Sequence, residues 1–368
     1  MVKNAQPKNR TKPKTKVSVD VALQGGGSHG AFTWGVLDRL LEEPWIEVTG
    51  VSGTSAGAMN AVGLVQGLAQ DGPEQVSALL RTFWDRVSKA AAFSPLQRTM
   101  MDRMTMGWRL DSSPVYKWSE VFSTFFSPYD FNPFGFNPLR HIVEETFDFS
   151  AINSAAAPTL FQSATNVRSG RLKLFRQPEI SADTTLASAC LPSVYQAVEI
   201  GEESYWDGGY MGNPPIFPLV RETDATDLIL IQINPFWRDE VPKRSGDISN
   251  RLNEIIFNSS ILHELRAAGI MVSMLEEKQV TVEGLAKGRL HRIHADAVMQ
   301  ELSASSKMNA APDFIEFLFE TGRGTADAWL TDHGADLGVK TTWLPDIIED
   351  YLPGGEDVSP KAVKASTP

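Results

Sequence analysis

The chain has 368 residues, 42% hydrophobic and 21% charged, a composition that excludes wholesale disorder and can bury one large core or two modest ones. Its formal net charge is −11, unevenly spread: the first sixteen residues hold Lys3, Lys8, Arg10, Lys12, Lys14 and Lys16 and no acid, and with those six set aside from the 34 basic residues the body holds 28 against 45 acids. A body that acidic repels phosphate, which excludes a nucleic-acid partner.

Residues 1–16 read as a solvated basic arm, with electrostatic contact to an anionic membrane surface as the sharper alternative. No apolar leader follows the arm, because Val17 to Leu23 is interrupted by Asp20, and no stretch approaches the roughly 18 apolar residues of a membrane span. Cys190 is the only cysteine, so no intrachain disulfide forms. With no motif around it, Cys190 reads as a small buried residue rather than a reactive thiol. A cytoplasmic protein is the expectation, with peripheral membrane contact as its possible extension.

Lys16 to Leu23 alternates and then turns apolar, as a strand entering a buried sheet does. Gly25 to Gly30 break it, and Ala31 to Glu43 places Phe32, Val36, Leu37, Leu40 and Leu41 on one helical face. Ile46 to Val51 is a second strand, Gly53 to Gly57 a second break, and Ala58 to Gln70 a second helix. Strand, glycine turn and helix, twice over, predict parallel strands with crossover helices. Pro73 to Ala92 is amphipathic. Residues 93–137 differ in kind, interleaving Met and aromatic residues with Pro and Gly, which suits either a lid or core packing under a long loop. Regularity resumes with a helix over Pro138 to Phe147, a strand over Thr159 to Asn166, a hairpin strand at Leu172 to Arg176 and a short helix at Leu186 to Ala189. A short strand at Ser204 to Trp206 and a buried strand at Leu228 to Ile233 follow. Then come a long helix over Ile248 to Glu276, a strand at Leu290 to His294 and a last helix over Asp313 to Thr331. The expected organisation is one domain over 17–352, with core motifs in 17–235, an insertion at 93–137, a helical extension over 236–352 and a frayed tail over 353–368.

Three constellations carry chemistry. Gly53-Thr54-Ser55-Ala56-Gly57 is a GxSxG turn between strand and helix, where flanking glycines permit the sharp bend that projects a nucleophilic serine. Gly25-Gly26-Gly27-Ser28-His29-Gly30 satisfies the dinucleotide fingerprint, but that reading requires an acid at the end of the next strand. That strand ends in the serine turn, and Glu47 sits at its beginning. The other use of such a loop is an oxyanion hole, with the amides of Gly26, Gly27 and Ser28 facing the charge and Gly25 and Gly30 completing the loop. Asp207-Gly208-Gly209, followed by Asn213-Pro214-Pro215, offers a carboxylate on a tight turn.

In this order and spacing the three resemble the patatin-like family of lipid acyl hydrolases. The resemblance spans residues 17–235. It implies a three-layer α/β/α sandwich with a mostly parallel central sheet and a cap or lid insertion. It further implies a Ser55–Asp207 dyad without histidine, support from Gly53, Gly57, Gly208 and Gly209, an acyl-lipid or other ester substrate, and no cofactor or metal. One departure bears on substrate: the family's Lys or Arg in the first loop is His29 here, so a neutral imidazole weakens positive charge near the oxyanion or a lipid phosphate.

Two rivals stand beside this reading. A Ser–His–Asp esterase finds His291, His294 and His333 after Asp207, although the serine turn lies early for that arrangement. A catalytically weak lipid-binding protein of the same fold is the other. His29, His141 and His263 read as structural, and His291-x-x-His294 has the wrong spacing for a metal pair on one helical face.

Overall fold

The computed structural model describes residues 15–91, 107–110, 113, 118, 125–277 and 288–343, with backbone alone over 269–277. Among these residues eight strands form one sheet: β1 (Val17–Leu23), β2 (Ile46–Gly53), β3 (Thr159–Asn166), β4 (Leu172–Arg176), β5 (Val198–Ile200), β6 (Glu203–Asp207), β7 (Asp227–Gln232) and β8 (Arg289–His294). Their order is β5-β6-β3-β2-β1-β7-β8, with β4 also paired to β3. The run β3-β2-β1-β7-β8 is parallel throughout, whereas β4, β5 and β6 join antiparallel. The sheet is therefore mixed but mostly parallel.

Alternation along the strands separates two apolar faces. Val19, Val21 and Leu23 of β1 and Ile229 and Ile231 of β7 point into the larger core. Their neighbours Ala22, Leu228 and Leu230 point into a second cluster with Phe161, Ile261 and Leu265. A sheet buried on both faces needs helices on both faces. Helices α1 (Gly30–Leu40), α2 (Ala56–Gln70) and α3 (Pro73–Ala91), with α4 (Pro138–Thr146) and the C-terminal α7 (Pro312–His333), cover the first. The long α6 (Ser245–Glu277), through Ile261 and Leu265, covers the second. Between α4 and α6 lies the short α5 (Ala182–Ser188). Among the described residues no helix is long and apolar enough to cross a membrane.

Glycine lets α1 and α7 touch backbone to backbone. A Cβ on Gly35 would sit 2.0 Å from the Phe319 carbonyl oxygen, and one on Gly322 would sit 2.1 Å from that of Phe32. Gly324, also in α7, faces open space. Helix propensity favours alanine at all three positions by about 1 kcal/mol. Gly324→Ala is therefore expected to be neutral or stabilising. Gly35→Ala and Gly322→Ala are expected to lose about 1–3 kcal/mol or more as the helices are prised apart. Urea unfolding of the three variants checks the ordering, and equal effects would refute the close-packing account.

Two expectations need correction. Residues 236–343 are not a helical extension alone: β8 completes the parallel edge beside β7, and α6 covers one sheet face. The short helix placed at Leu186 to Ala189 begins earlier, at Ala182, because Ser181 caps it and its hydroxyl accepts the Thr184 amide. Of the segment 93–137, residues 92–106, 111–112, 114–117 and 119–124 lie outside the described residues, as do 1–14 of the basic arm and the tail 353–368. In the described part, Leu110 is fully buried and Trp108 stacks on Phe317, whereas Phe125, Phe134 and Phe136 are exposed.

Candidate active site

Parallel pairing brings the two glycine turns to one edge. Leu23, the last residue of β1, is in register with Gly53, the last residue of β2, so both following loops leave the sheet at its carboxyl end, where ligands of open α/β sheets bind. Asp207 ends β6, which runs antiparallel to β3 with Asp207 opposite Ala164.

Ser55 precedes α2 with φ 54° and ψ −122°, and it is the one non-glycine residue with positive φ among those described. Such a backbone costs about 1–3 kcal/mol and persists only when its surroundings hold it. The restraints are visible. The Gly57 amide donates to the Thr54 carbonyl at 2.8 Å, the Ser55 amide donates to Ser188 Oγ at 3.0 Å, and the Thr54 hydroxyl donates to the Gly212 carbonyl at 2.6 Å. A Cβ on Gly57 would lie 2.1 Å from the Leu23 carbonyl oxygen, so the bend requires glycine there. The Gly53 position is equally closed by Gly57 at 2.5 Å.

Asp207 is fully buried and Ser55 is 8% exposed. The Gly209 amide donates to Asp207 Oδ1 at 2.7 Å. Asp207 Oδ2 is buried with no hydrogen bond of ordinary geometry, yet the Ser55 hydroxyl comes close enough to lower the carboxyl's pKa. Burial nevertheless dominates and pushes that pKa up to about 7, against the lowering effects of the Gly209 amide, the Ser55 hydroxyl and the Lys307 charge. Gly208 and Gly209 have no room for a Cβ: Ser163 would lie 2.3 Å from the first and the Phe257 ring 2.4 Å from the second.

Of the five residues expected to form an oxyanion hole, two have committed amides. Gly25 donates to Asn213 Oδ1 at 2.7 Å, and Gly30 bonds back into the short 3-10 turn Gly27–His29. Those two amides are therefore tied up within the protein, and the two glycines complete the loop. The amides of Gly26, Gly27 and Ser28 donate to no partner among the described residues. The amide of Ala56, the first residue of α2, is likewise one that the helix itself cannot satisfy. His29 is buried, with Nε2 2.8 Å from Ser306 Oγ. Burial, then the Lys307 charge, lowers its pKa to about 3, so the loop's own basic residue is neutral.

The other histidines lie elsewhere. His291 is buried between Asp227 and Thr342, at 2.9 Å from each, and Asp227 opens β7, at the sheet edge opposite Ser55. His294 pairs with Asp296, and His333 lies 3.6 Å from Asp336. Cys190 is fully buried, its thiol pushed up to about 12 by burial and then by Asp207. Its carbonyl accepts the Asp207 amide at 2.7 Å. Among the described residues no group of three or more His, Cys, Asp or Glu is placed to hold a metal ion.

The family described as patatin-like phospholipase matches residues 21–220, a span that includes both glycine turns and Asp207. No curated protein sequence matches the chain. Among solved structures, VipD from Legionella pneumophila is similar at 15% identity and TM-score 0.42, over 88% of this chain and 68% of that one. ExoU, in its heterodimeric complex with SpcU from the type III secretion system of Pseudomonas aeruginosa, is similar at 14% identity and TM-score 0.31, over 86% of this chain and 53% of that one.

Proposed function

The chain belongs to the patatin-like phospholipase family, a family of lipid hydrolases, and from that premise we propose that it is a serine acyl-ester hydrolase with Ser55 as nucleophile and Asp207 as its base. One observation carries the reading: the hydroxyl of a strained serine lies beside a buried carboxylate whose Oδ2 has no other partner among the described residues. Asp207 accepts the Ser55 hydroxyl proton as Oγ attacks the ester carbonyl. The amides of Gly26, Gly27 and Ser28, joined by Ala56, stabilise the oxyanion, each donor contributing about 2.7–4 kcal/mol to the barrier reduction. Collapse expels the alcohol, which takes the proton from Asp207. Water, deprotonated by the same carboxylate, then attacks the acyl carbonyl, and Ser55 Oγ leaves the acid product and takes the proton back from Asp207. No histidine takes part, consistent with His291, His294 and His333 having partners away from Ser55. The exposed rings of Phe134 and Phe136 support contact with an aggregated lipid surface.

A fluorophosphonate probe tests the nucleophile. Wild-type protein is expected to form one adduct, on Ser55 by peptide mass, and Ser55→Ala none, with turnover of a short-chain nitrophenyl ester falling toward the roughly 10⁶-fold loss of a disabled serine hydrolase. Ser55-independent turnover would refute the proposal, and absence of turnover on every acyl ester would favour a lipid-binding role instead.

A further inference from the structure

Lys307 lies far from every motif in sequence and against the site in space. It belongs to the 3-10 turn Ser305–Met308, which packs on the glycine loop so closely that a Cβ on Gly27 would stand 2.4 Å from the Lys307 carbonyl oxygen. The same turn supplies Ser306, the partner of His29. The Lys307 ammonium donates to Asn234 Oδ1 and Asn253 Oδ1, each at 2.7 Å. It stands 5.2 Å from the centre of the Phe257 ring, the ring that closes over Gly209 beside Asp207. Neutral oxygens thus hold the cation in place without cancelling its charge.

The charged and titratable groups around it are few. Glu254 faces it from α6, but that carboxylate is already engaged by Arg238 and Arg251. His29 faces it from the glycine loop as a neutral ring. Asp207 faces it from the end of β6. Around Asp207 itself stand the Ser55 hydroxyl, the Tyr210 phenol and the Cys190 thiol. Burial raises the pKa of both the phenol and the thiol to about 12, so both are neutral. Among the described residues the ammonium is therefore the cation that acts on the buried carboxylate.

We infer that Lys307 is a positioning residue of the site: its ammonium, fixed by Asn234 and Asn253 against the glycine loop, favours the ionised form of Asp207 and lowers the pH at which Ser55 can be deprotonated. The inference rests on the Ser55–Asp207 reading above. Its electrostatics agree: burial lowers the Lys307 pKa to about 8 and raises that of Asp207 to about 7, so the lysine is still charged while the aspartate ionises. Above pH 8 the lysine loses its charge, but Asp207 is by then already ionised and no longer depends on it.

The test is the rate of Ser55 phosphonylation by a fluorophosphonate, followed against pH by intact mass. In the wild type the acid limb is expected near the Asp207 value of about 7. Lys307→Met, similar in length and uncharged, is expected to move that limb up by about one pH unit, as the loss of a nearby charge at an effective dielectric of about 20 does. Labelling at pH 6 then falls roughly ten-fold while labelling at pH 9 stays within about three-fold. Lys307→Arg, which keeps the charge, is expected to return the limb toward its wild-type position, a rescue that a packing role alone would not give. Asn253→Asp is isosteric and sets a carboxylate against the ammonium. It is expected to shift the limb upward too, and it decides the matter alone where Lys307→Met does not fold. An unmoved limb overturns the role of Lys307 and leaves the dyad standing. Absence of label on wild-type Ser55 overturns the dyad and this role with it.

Discussion

Asp207→Asn is expected to remove nearly all turnover and, in the same protein, to raise thermal stability. On the proposed mechanism the carboxylate itself takes the serine proton, so an amide in its place leaves no base. The loss is expected to reach about 10⁴-fold or more, the scale seen when a triad aspartate that only orients a histidine is removed. The stability gain follows from the pKa. Burial lifts the Asp207 carboxyl from 3.8 to about 7, so the folded state prefers it neutral. The sign is then fixed: below about pH 4 the group is neutral in both states and costs nothing. As pH rises toward 7 the unfolded chain ionises it freely while the fold resists, and the penalty grows to about 4 kcal/mol at most. Above pH 7 it is constant. The asparagine side chain keeps an oxygen for the Gly209 amide, which donates to Oδ1 at 2.7 Å in the native site, and it carries no charge. Melting temperatures of the two proteins are thus expected to coincide near pH 4 and to separate by several degrees at pH 8, with the inactive variant higher. A variant that is less stable at pH 8 would show that the carboxylate is structural rather than a strained base.

Both glycine turns were legible because their spacing, their flanking strands and their following helices agree with one another, and β1 and β2 lie beside each other in register. The Ser55 backbone strain was implicit in Gly53 and Gly57, since only a bend with no room for a Cβ needs both. Asp207 was legible through Gly208 and Gly209. What could not be read are contacts that carry no local pattern. The Asn213 clamp on Gly25 spans 188 positions and the Ser306 clamp on His29 spans 277, and neither leaves a mark in composition or periodicity. Lys307 looked like any surface lysine, and its burial depends on α6 and the glycine loop arriving at the same place. Strand β5, three residues long, is too short to show an alternation. Strand β8 was expected at Leu290 to His294, but its half-polar sequence carries no sign that it completes the parallel sheet with His291 and Ile293 fully buried.

A comparison of two adjacent glycines is expected to separate the backbone of the oxyanion loop from its mere smallness. Gly27 has φ 57°, in the left-handed region that disfavours any side chain, and its added Cβ would stand 2.4 Å from the Lys307 carbonyl oxygen. Both objections act together, because relieving the clash means rotating the residue and pushing the turn at Lys307 away. Gly26 has φ 174°, which any residue adopts. Its Cβ would meet the Ile233 side chain at 3.0 Å, a contact that an isoleucine can ease by a few tenths of an ångström. Gly27→Ala is therefore expected to lose about 1–3 kcal/mol of stability. Displacing the amides of Gly27 and Ser28 is expected to lower kcat by about 10²–10³-fold, the cost of one lost oxyanion donor, with KM for a nitrophenyl ester little changed, because the donors act on charge that exists only in the transition state. Gly26→Ala is expected to keep its melting temperature within a few degrees of the wild type and most of its turnover. The reverse ranking, or a loss confined to KM, would mean that the loop shapes the acyl pocket rather than holding the oxyanion.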